Sequence, residues 1–401
     1  MLTRVKFSIV IASTLLTALL VIGAVMGQSS STDGAYRQLS VYTEVLSRIK
    51  SEYVEEPDIK VVTRGALQGL LESLDPYSSY LSAEHYKEYQ NRKAHQEAGV
   101  GLVISKRFGV VVILAAVAGS PAAKAGLQSW DLLEAVDGRS TRELPMPLVQ
   151  ALLSGTPGSA VRLVVRRSRR AEEPQDITLT RTSAAMPAVT HKLLPDRVGY
   201  VDVDVLTTGK AAEVARAVRE LEALGAERLV LDLRNNALGE QQEGINLANL
   251  FVADGLLAYL QGQKHSKKDF QAESGRAISK LPLVVVTNRA TAGAAELAVA
   301  AILDRQRGQV VGERTFGLGA IQRTITIEDG SAVILSIAKY YRPSGKAIQE
   351  GGVNPTLLAS EPEPGAGDED EPAPRSPERR LEDDAVLKKA IEVAKGASAR
   401  A

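Results

Sequence analysis

The chain of 401 residues has no cysteine, which excludes disulfide bonds, a thiolate nucleophile and any cysteine-held metal. Aromatic residues are scarce at 4%, with a single tryptophan, Trp130, so its cores must be built from aliphatic side chains. A charge excess of either sign is also missing. Lys plus Arg and Asp plus Glu are 48 each, and nothing global draws nucleic acid or an acidic partner. The one basic run, Arg166, Arg167, Arg169 and Arg170, lies between the alternations VRLVV and ITLT; it reads as a solvated hairpin turn rather than a phosphate patch. The four histidines (His85, His95, His191 and His265) are scattered with no i,i+4 pair, so no metal site and no cofactor are expected.

Long hydrophobic runs are absent but for one, Phe7 to Met26, preceded by Arg4 and Lys6. It is long enough to cross a bilayer, and no small-x-small cleavage site precedes the SSSTDG that follows. Residues 1–27 read as an uncleaved signal anchor, with a cleaved signal peptide as the alternative. The basic end then stays cytoplasmic. The chain after Gln28 is exported, periplasmic or at the cell surface, tethered to the inner membrane by residues 7–26.

Beyond the anchor the texture changes several times. Residues 36–95 carry apolar residues at helical spacing, among them Leu39, Val45, Leu46, Ile49, Leu67, Leu70, Leu71 and Leu74. From 97 to 185 the runs VGLVIS, GVVVILAA, AVRLVVRR and DITLTRT, broken by Gly and Pro, predict a small, mostly β domain. From 186 to 358 strands alternate with helices: VGYVDVDV, KAAEVARAVRELEALG, RLVLDL, LPLVVVT, a helix from about Ala292 to Leu303, QVVGE and AVILSIAKY. That order implies an α/β core of βαβ type with a largely parallel sheet. Residues 359–380 are acidic and Pro-rich, a disordered linker, and 381–398 form a short amphipathic helix.

Several stretches in register resemble the C-terminal processing, or tail-specific, serine peptidases, an exported family with a PDZ domain inserted before an α/β catalytic core. The similarity covers residues 36 to 358. It rests on LESLDPYSSYLSAEHY at 71–86, GVGL at 99–102, GSPAAKAGLQSWDLLEAVDG at 119–138 with Trp130 where a Gly is usual, LVLDLRNNALG, VVVTNRATAGAAELAVAAILD, VVGERTFGLGAIQ and AKYYRPSGKAIQEGGVNP.

The resemblance implies a Ser–Lys dyad, in which a lysine of lowered pKa takes the serine proton. The family's nucleophile, three residues before the Glu of S-A-S-A-S-E, maps onto Gly293 before Glu296, and its T-F-G-K-G lysine maps onto Leu318. The 25-residue spacing is the family's own. Gln322 matches the Gln that orients the lysine. The oxyanion hole maps onto the amides of Ala294 and of Leu238, where D-L-R-N-N-P-G-G has become DLRNNALG. A leucine there is expected to suffer if the backbone needs positive φ or a close approach.

Two residues could stand in, Thr291 and Lys339, although a Thr at a helix start is ordinarily an N-cap and a Lys at a strand end is ordinarily solvated. Asp232, Asn235 and Asn236 read as cap and turn formers, with acid–base partners as the alternative. The resemblance implies that the PDZ domain takes a peptide carboxylate on the Gly99, Val100, Gly101 and Leu102 loop, adding the peptide as a strand beside Leu148 and Leu152. The leading expectation is an inactive peptide-binding scaffold or regulator; the alternatives are an active endopeptidase with a non-standard nucleophile and a structural subunit of a mixed oligomer with an active homologue, and a homo- or hetero-oligomer is an expected assembly. Nucleic acid is not an expected partner.

Overall fold

The computed structural model of the chain describes residues 32–107, 109–168, 173–183, 186–360 and 384–396, with Thr14 and Thr17 as isolated helical positions. The rest of the expected anchor at 7–26, and the linker from 361 on, lie outside the described residues. The chain divides into two compact units, residues 1–67 and 68–401.

In the first unit α1 (Thr32–Glu52) is followed by α2 (Ile59–Glu72), which runs into the second unit. Asp58 caps α2 by accepting from the Lys60 amide at 2.8 Å. Leu39, Val41, Tyr42 and Val45 of α1 are exposed. Among the described residues no helix is long and apolar enough to cross a membrane.

The second unit begins with β1 (Ser79–Leu81) and α3 (Ala83–Lys93), the latter capped by the Ser82 hydroxyl. The PDZ domain follows: β2 (Ala98–Gly99), β3 (Leu102–Arg107), β4 (Val110–Ala116), α4 (Pro121–Lys124), β5 (Leu132–Val136), β6 (Arg139–Ser140), α5 (Met146–Leu153), β7 (Ser154–Gly155), β8 (Ala160–Arg166) and β9 (Gln175–Thr180). Its main sheet is antiparallel in the order β3-β4-β5-β8-β9, and β2 pairs β7 apart from it. The basic run is partly spoken for, since Arg166 pairs with Glu134 at 2.7 Å and Arg167 with buried Asp131 at 2.9 Å.

The core adds β10 (Thr190–Leu194), β11 (Val198–Asp202), α6 (Lys210–Ala223), β12 (Arg228–Asp232), α7 (Gln241–Asn249), β13 (Leu256–Gly262), β14 (His265–Gln271), β15 (Leu283–Thr287), α8 (Ala294–Asp304), β16 (Gln309–Gly312), β17 (Ala320–Thr326), β18 (Ala332–Tyr341), β19 (Leu357–Leu358) and α9 (Ala385–Gly396). One sheet, β10-β11-β12-β15-β16-β19, is parallel except for its β10 edge. Its central strands are apolar on both faces, as burial between two helical layers requires. Leu229, Leu231, Leu283 and Val285 face α6, α7 and α8, while Val230, Val284 and Val286 face α9.

The stretch AVILSIAKY, expected in the parallel sheet, forms β18 of a second, antiparallel sheet, β1-β18-β13-β14 with β17 also on β18. The connections explain this. The short turns joining β17 to β18 and β13 to β14 permit only hairpins, because a parallel crossover needs a dozen or more residues. Helices α7 and α8 pack with both sheets in one cluster. Buried Arg234 ties α9 to the parallel sheet by pairing with Asp232 at 2.5 Å and with Asp384 at 2.7 Å. Asp384 in turn caps α9 through the Leu387 amide.

Candidate functional site: a catalytic turn without its dyad

Strand β15 ends at Thr287, and the chain turns through Asn288–Gly293 into α8. Thr291 holds this turn from inside. Its wholly buried hydroxyl donates to the Leu233 carbonyl at 2.8 Å and accepts from the Asn288 amide at 3.0 Å. It is therefore neither the N-cap of α8 that the sequence suggested nor an accessible nucleophile. The N-cap is Gly293, at φ 62° and ψ −117°, a conformation that glycine enters freely and other residues at a cost. A nucleophile mounted on a strand-to-helix elbow is held in such strained backbone. A Cβ built on Gly293 would meet a single neighbour within contact distance, Leu318 Cδ2 at 3.7 Å. Positions 293 and 318 face each other as nucleophile and base must.

Glu296 clamps the two positions together. It is the one acid in the first two turns of a helix that is apolar from Ala294 to Leu303 but for it, and it is completely buried. Oε2 accepts from the Gly293 amide at 3.0 Å and the Leu318 amide at 2.7 Å. Oε1 accepts from the Gly317 amide at 2.7 Å and from the Thr315 hydroxyl. Burial raises its pKa, against the pull of these four donors. On the other side of α8, Gly244 of α7 lies so close that a Cβ there would sit 2.0 Å from the Ala294 carbonyl. A single glycine thus lets α7 support the first turn of α8.

The other expected site residues fare unevenly. Ala294 is the first helical residue, where the amide has no intrahelical acceptor. Leu238 does not take the positive φ anticipated for its position; Asn235, at φ 59°, does. The Leu238 carbonyl accepts from the Leu206 amide at 2.8 Å, pinning the segment, and the leucine causes no φ strain. Gln322 does not point at position 318. Its amide donates to the Tyr77 carbonyl at 2.6 Å, because a register shift between Ile321 and Gln322 re-aims the strand. Lys339 is half exposed with its ammonium 3.9 Å from Glu350, a solvated pair. Asp232 is taken up by Arg234 and the Tyr200 hydroxyl and Asn235 by Asn288, while Asn236 donates to the Val203 carbonyl and leaves its own buried oxygen without a partner.

The PDZ domain packs directly on this turn. Val112, Leu114 and Ala115 of its strands form one buried cluster with Ala237, Ala292 and Phe316, joined at its edge by Trp130 and Leu318. Arg107 donates to the Phe316 carbonyl at 2.7 Å and lies 4.2 Å from the centre of its ring. Trp130 lies 6.2 Å from the Phe316 ring and 5.5 Å from the Arg289 guanidinium. Where a catalytic lysine would bring a charge, Leu318 belongs to an apolar seam.

On the PDZ domain, Gly99 to Leu102 lead into β3, an edge strand of its sheet. Gly99 pairs both ways with Thr182, and the Val100 and Gly101 carbonyls accept from Ala122 and Val117. The Val100 and Gly101 amides are taken up by no turn or strand bond. Leu148 and Leu152 are corrected from groove-lining to core positions. Both are wholly buried, because α5 is apolar nearly all round and lies between its sheet and α3, whose Tyr89 packs on the same cluster.

Family comparisons agree with this geometry. The model for Peptidase family S41 matches residues 197–359, that for a PDZ domain residues 112–167, and that for the activating protease CtpB N-terminal domain residues 21–85. Carboxy-terminal processing protease CtpA of Bacillus subtilis (strain 168) is 30% identical over 361 residues, covering 90% of this chain and 77% of that protein. The carboxyl-terminal-processing protease of Synechocystis sp. is 34% identical over 322 residues, covering 78% and 75%. The chain belongs to the C-terminal processing serine peptidases of family S41. Among solved structures, a photosystem II D1 C-terminal processing protease superposes with a TM-score of 0.64 at 30% identity, covering 80% of this chain and 88% of that one.

Within the S41 framework, sequence reasoning missed the clamp at Glu296 and the seam formed by Arg107, Trp130 and Phe316. An acid set among alanines and leucine at the start of AAELAVAAILD was the available sign of the first; nothing local signals the second. Trp130 adopts φ 75°, so a left-handed residue carries the only tryptophan of the chain. Trp130→Gly loses the ring contacts but gains backbone freedom, whereas Trp130→Ala loses the contacts and keeps the strain. The Gly variant should therefore be more stable than the Ala variant by roughly 1 kcal/mol in urea unfolding. Equal stabilities would show that position 130 carries no strain.

Proposed function

We propose that this S41-family chain is a proteolytically inactive, exported scaffold or regulator that binds peptides or protein C-termini through its PDZ domain. The observation that carries this reading is the facing pair at 293 and 318, a glycine and a leucine placed so that a Cβ at 293 would meet Leu318 Cδ2 at 3.7 Å, beside an apolar PDZ seam. No group there can lose a proton to a base, and losing such machinery leaves a serine protease only the roughly 10³–10⁴-fold enhancement of binding and oxyanion contacts. The edge position of β3 and the uncommitted Val100 and Gly101 amides support β-augmentation by a peptide ending in a carboxylate. A tether at residues 7–26 would hold the protein at the inner membrane.

Association with copies of itself or with an active relative is a compatible second role, favoured by the exposed Leu39, Val41, Tyr42 and Val45 on one helix. The test of the main reading is labelling of the purified protein with a fluorophosphonate probe. No labelling is expected. Labelling that disappears in Thr291→Ala would establish a non-standard nucleophile and overturn the reading.

A further inference from the structure

The hairpin of β13 and β14 turns at Gln263 and Lys264 and gathers basic residues in one short run: Lys264, His265, Lys267 and Lys268. The three lysines are exposed, and no acid interrupts the run. Asp269, directly after it, pairs with Lys267 at 3.0 Å. Neither Lys264 nor Lys268 has an ion pair among the described residues. β14 is the outer strand of its sheet, and lysine on such a strand ordinarily guards against edge-to-edge pairing. Here the charge exceeds a guard. Lys268 stands opposite buried Leu260, Lys267 projects from the other face beside Tyr259, and Lys264 sits at the turn.

These lysines are seated on rings. Lys267 Nζ lies 4.4 Å from the centre of the Tyr259 ring, which stacks on Tyr341 at 4.9 Å with the planes 6° apart. Lys268 Nζ lies 5.0 Å from the centre of the Phe270 ring. Both stems run along aromatic surface while the ammonium groups stay in water. The hairpin is no free arm, since a Cβ on Gly262 would lie 2.0 Å from the Ile337 carbonyl of β18. Lys339 of β18, opposite Gln261, adds a further cation, offset by Glu350 at 3.9 Å.

The form of the array indicates its partner. The hairpin holds no arginine, so the planar fork that grips one carboxylate or phosphate through two bonds is missing. An outer strand also has no neighbouring strand to close a small ligand in. A row of hydrated point charges beside tyrosine rings fits a broad anionic surface, the headgroup layer of a bilayer. We propose that the β13–β14 hairpin is a contact surface for anionic lipid headgroups, and that this contact turns its edge of the second unit toward the membrane. The inference rests on the tether at residues 7–26 proposed above, which would hold the chain close enough for a contact of this modest strength.

Because the chain has no cysteine, Ser266→Cys gives one attachment point, inside the run, for an environment-sensitive dye. The labelled 401-residue chain is mixed with vesicles of phosphatidylcholine alone or of an equal mixture with phosphatidylglycerol, and flotation reports the tether separately. Flotation with both vesicles is expected, with a dye shift only where phosphatidylglycerol is present and salt is low. Lys264→Gln, Lys267→Gln and Lys268→Gln together should reduce the contact equilibrium about a hundredfold. Flotation with an unmoved dye, or the same shift on phosphatidylcholine alone, would overturn the inference and leave the tether standing. A shift with soluble polyglutamate and none with the anionic vesicles would overturn it in favour of an acidic protein. Flotation only with phosphatidylglycerol, lost in the triple variant, would support the hairpin contact and count against the tether. Neither flotation nor a shift would overturn both.

Discussion

Glu296→Ala should destabilise the protein by on the order of 4 kcal/mol, a loss reserved for a few mechanisms. The substitution leaves the buried amides of Gly293 and Gly317, the part-buried amide of Leu318 and the buried Thr315 hydroxyl without their acceptor. Each unsatisfied buried donor costs about 1–3 kcal/mol. Glu296→Gln tests the chemistry apart from the volume. It keeps the shape but turns one acceptor oxygen into a donor that faces other donors, so it should fail to rescue stability. Urea unfolding at neutral pH measures both. A loss below about 1 kcal/mol for the Ala variant would show that the two loops are held by packing alone.

The second large effect concerns chemistry. Gly293→Ser combined with Leu318→Lys should produce peptide hydrolysis at least about a hundredfold above the unaltered chain, a part of the up to roughly 10⁶-fold that such catalytic groups supply together. The geometry motivates this expectation. A Cβ at 293 already points at the 318 side chain, and the Glu296 clamp that fixes both loops is intact. The serine would have to occupy positive φ, at a cost of about 1–3 kcal/mol, as strained nucleophiles do. Each single substitution should remain inert, since serine without base and base without serine transfer no proton. Adding Trp130→Ala to loosen the PDZ seam should raise the rate further. A fully folded double variant with no activity would show that more than the dyad has been lost.

Much of the core was legible because its physics is local in sequence. VLDL and PLVVVT are apolar on both faces, as β12 and β15 between helical layers must be, and the 3.6-residue stripe of Val214, Ala217, Val218 and Leu221 became α6 from Lys210 to Ala223. Positions 293 and 318 could be paired by motif register, and the structure places them face to face. Other features depend on partners distant in the chain. Nothing near AVILSIAKY indicates that it joins a second sheet, because its β13 partner lies about 80 residues earlier. Leu148 and Leu152 carry the spacing of a groove wall, and only the packing of α3 across α5 makes them core. Gln322 kept its motif position, but a bulge one residue before it altered its aim. Arg181 gave no sign at all in sequence. It is buried because Leu152, Ser159 and Ala160, brought from elsewhere in the domain, accept from its guanidinium.

The most direct measurement of the central claim is a casein digestion time course with the purified 401-residue chain at high enzyme ratio, alongside the Thr291→Ala variant. The account predicts no cleavage above a protein-free control by either chain, because Gly293 and Leu318 offer neither nucleophile nor base. Steady cleavage by the unaltered chain that is abolished by Thr291→Ala would contradict it.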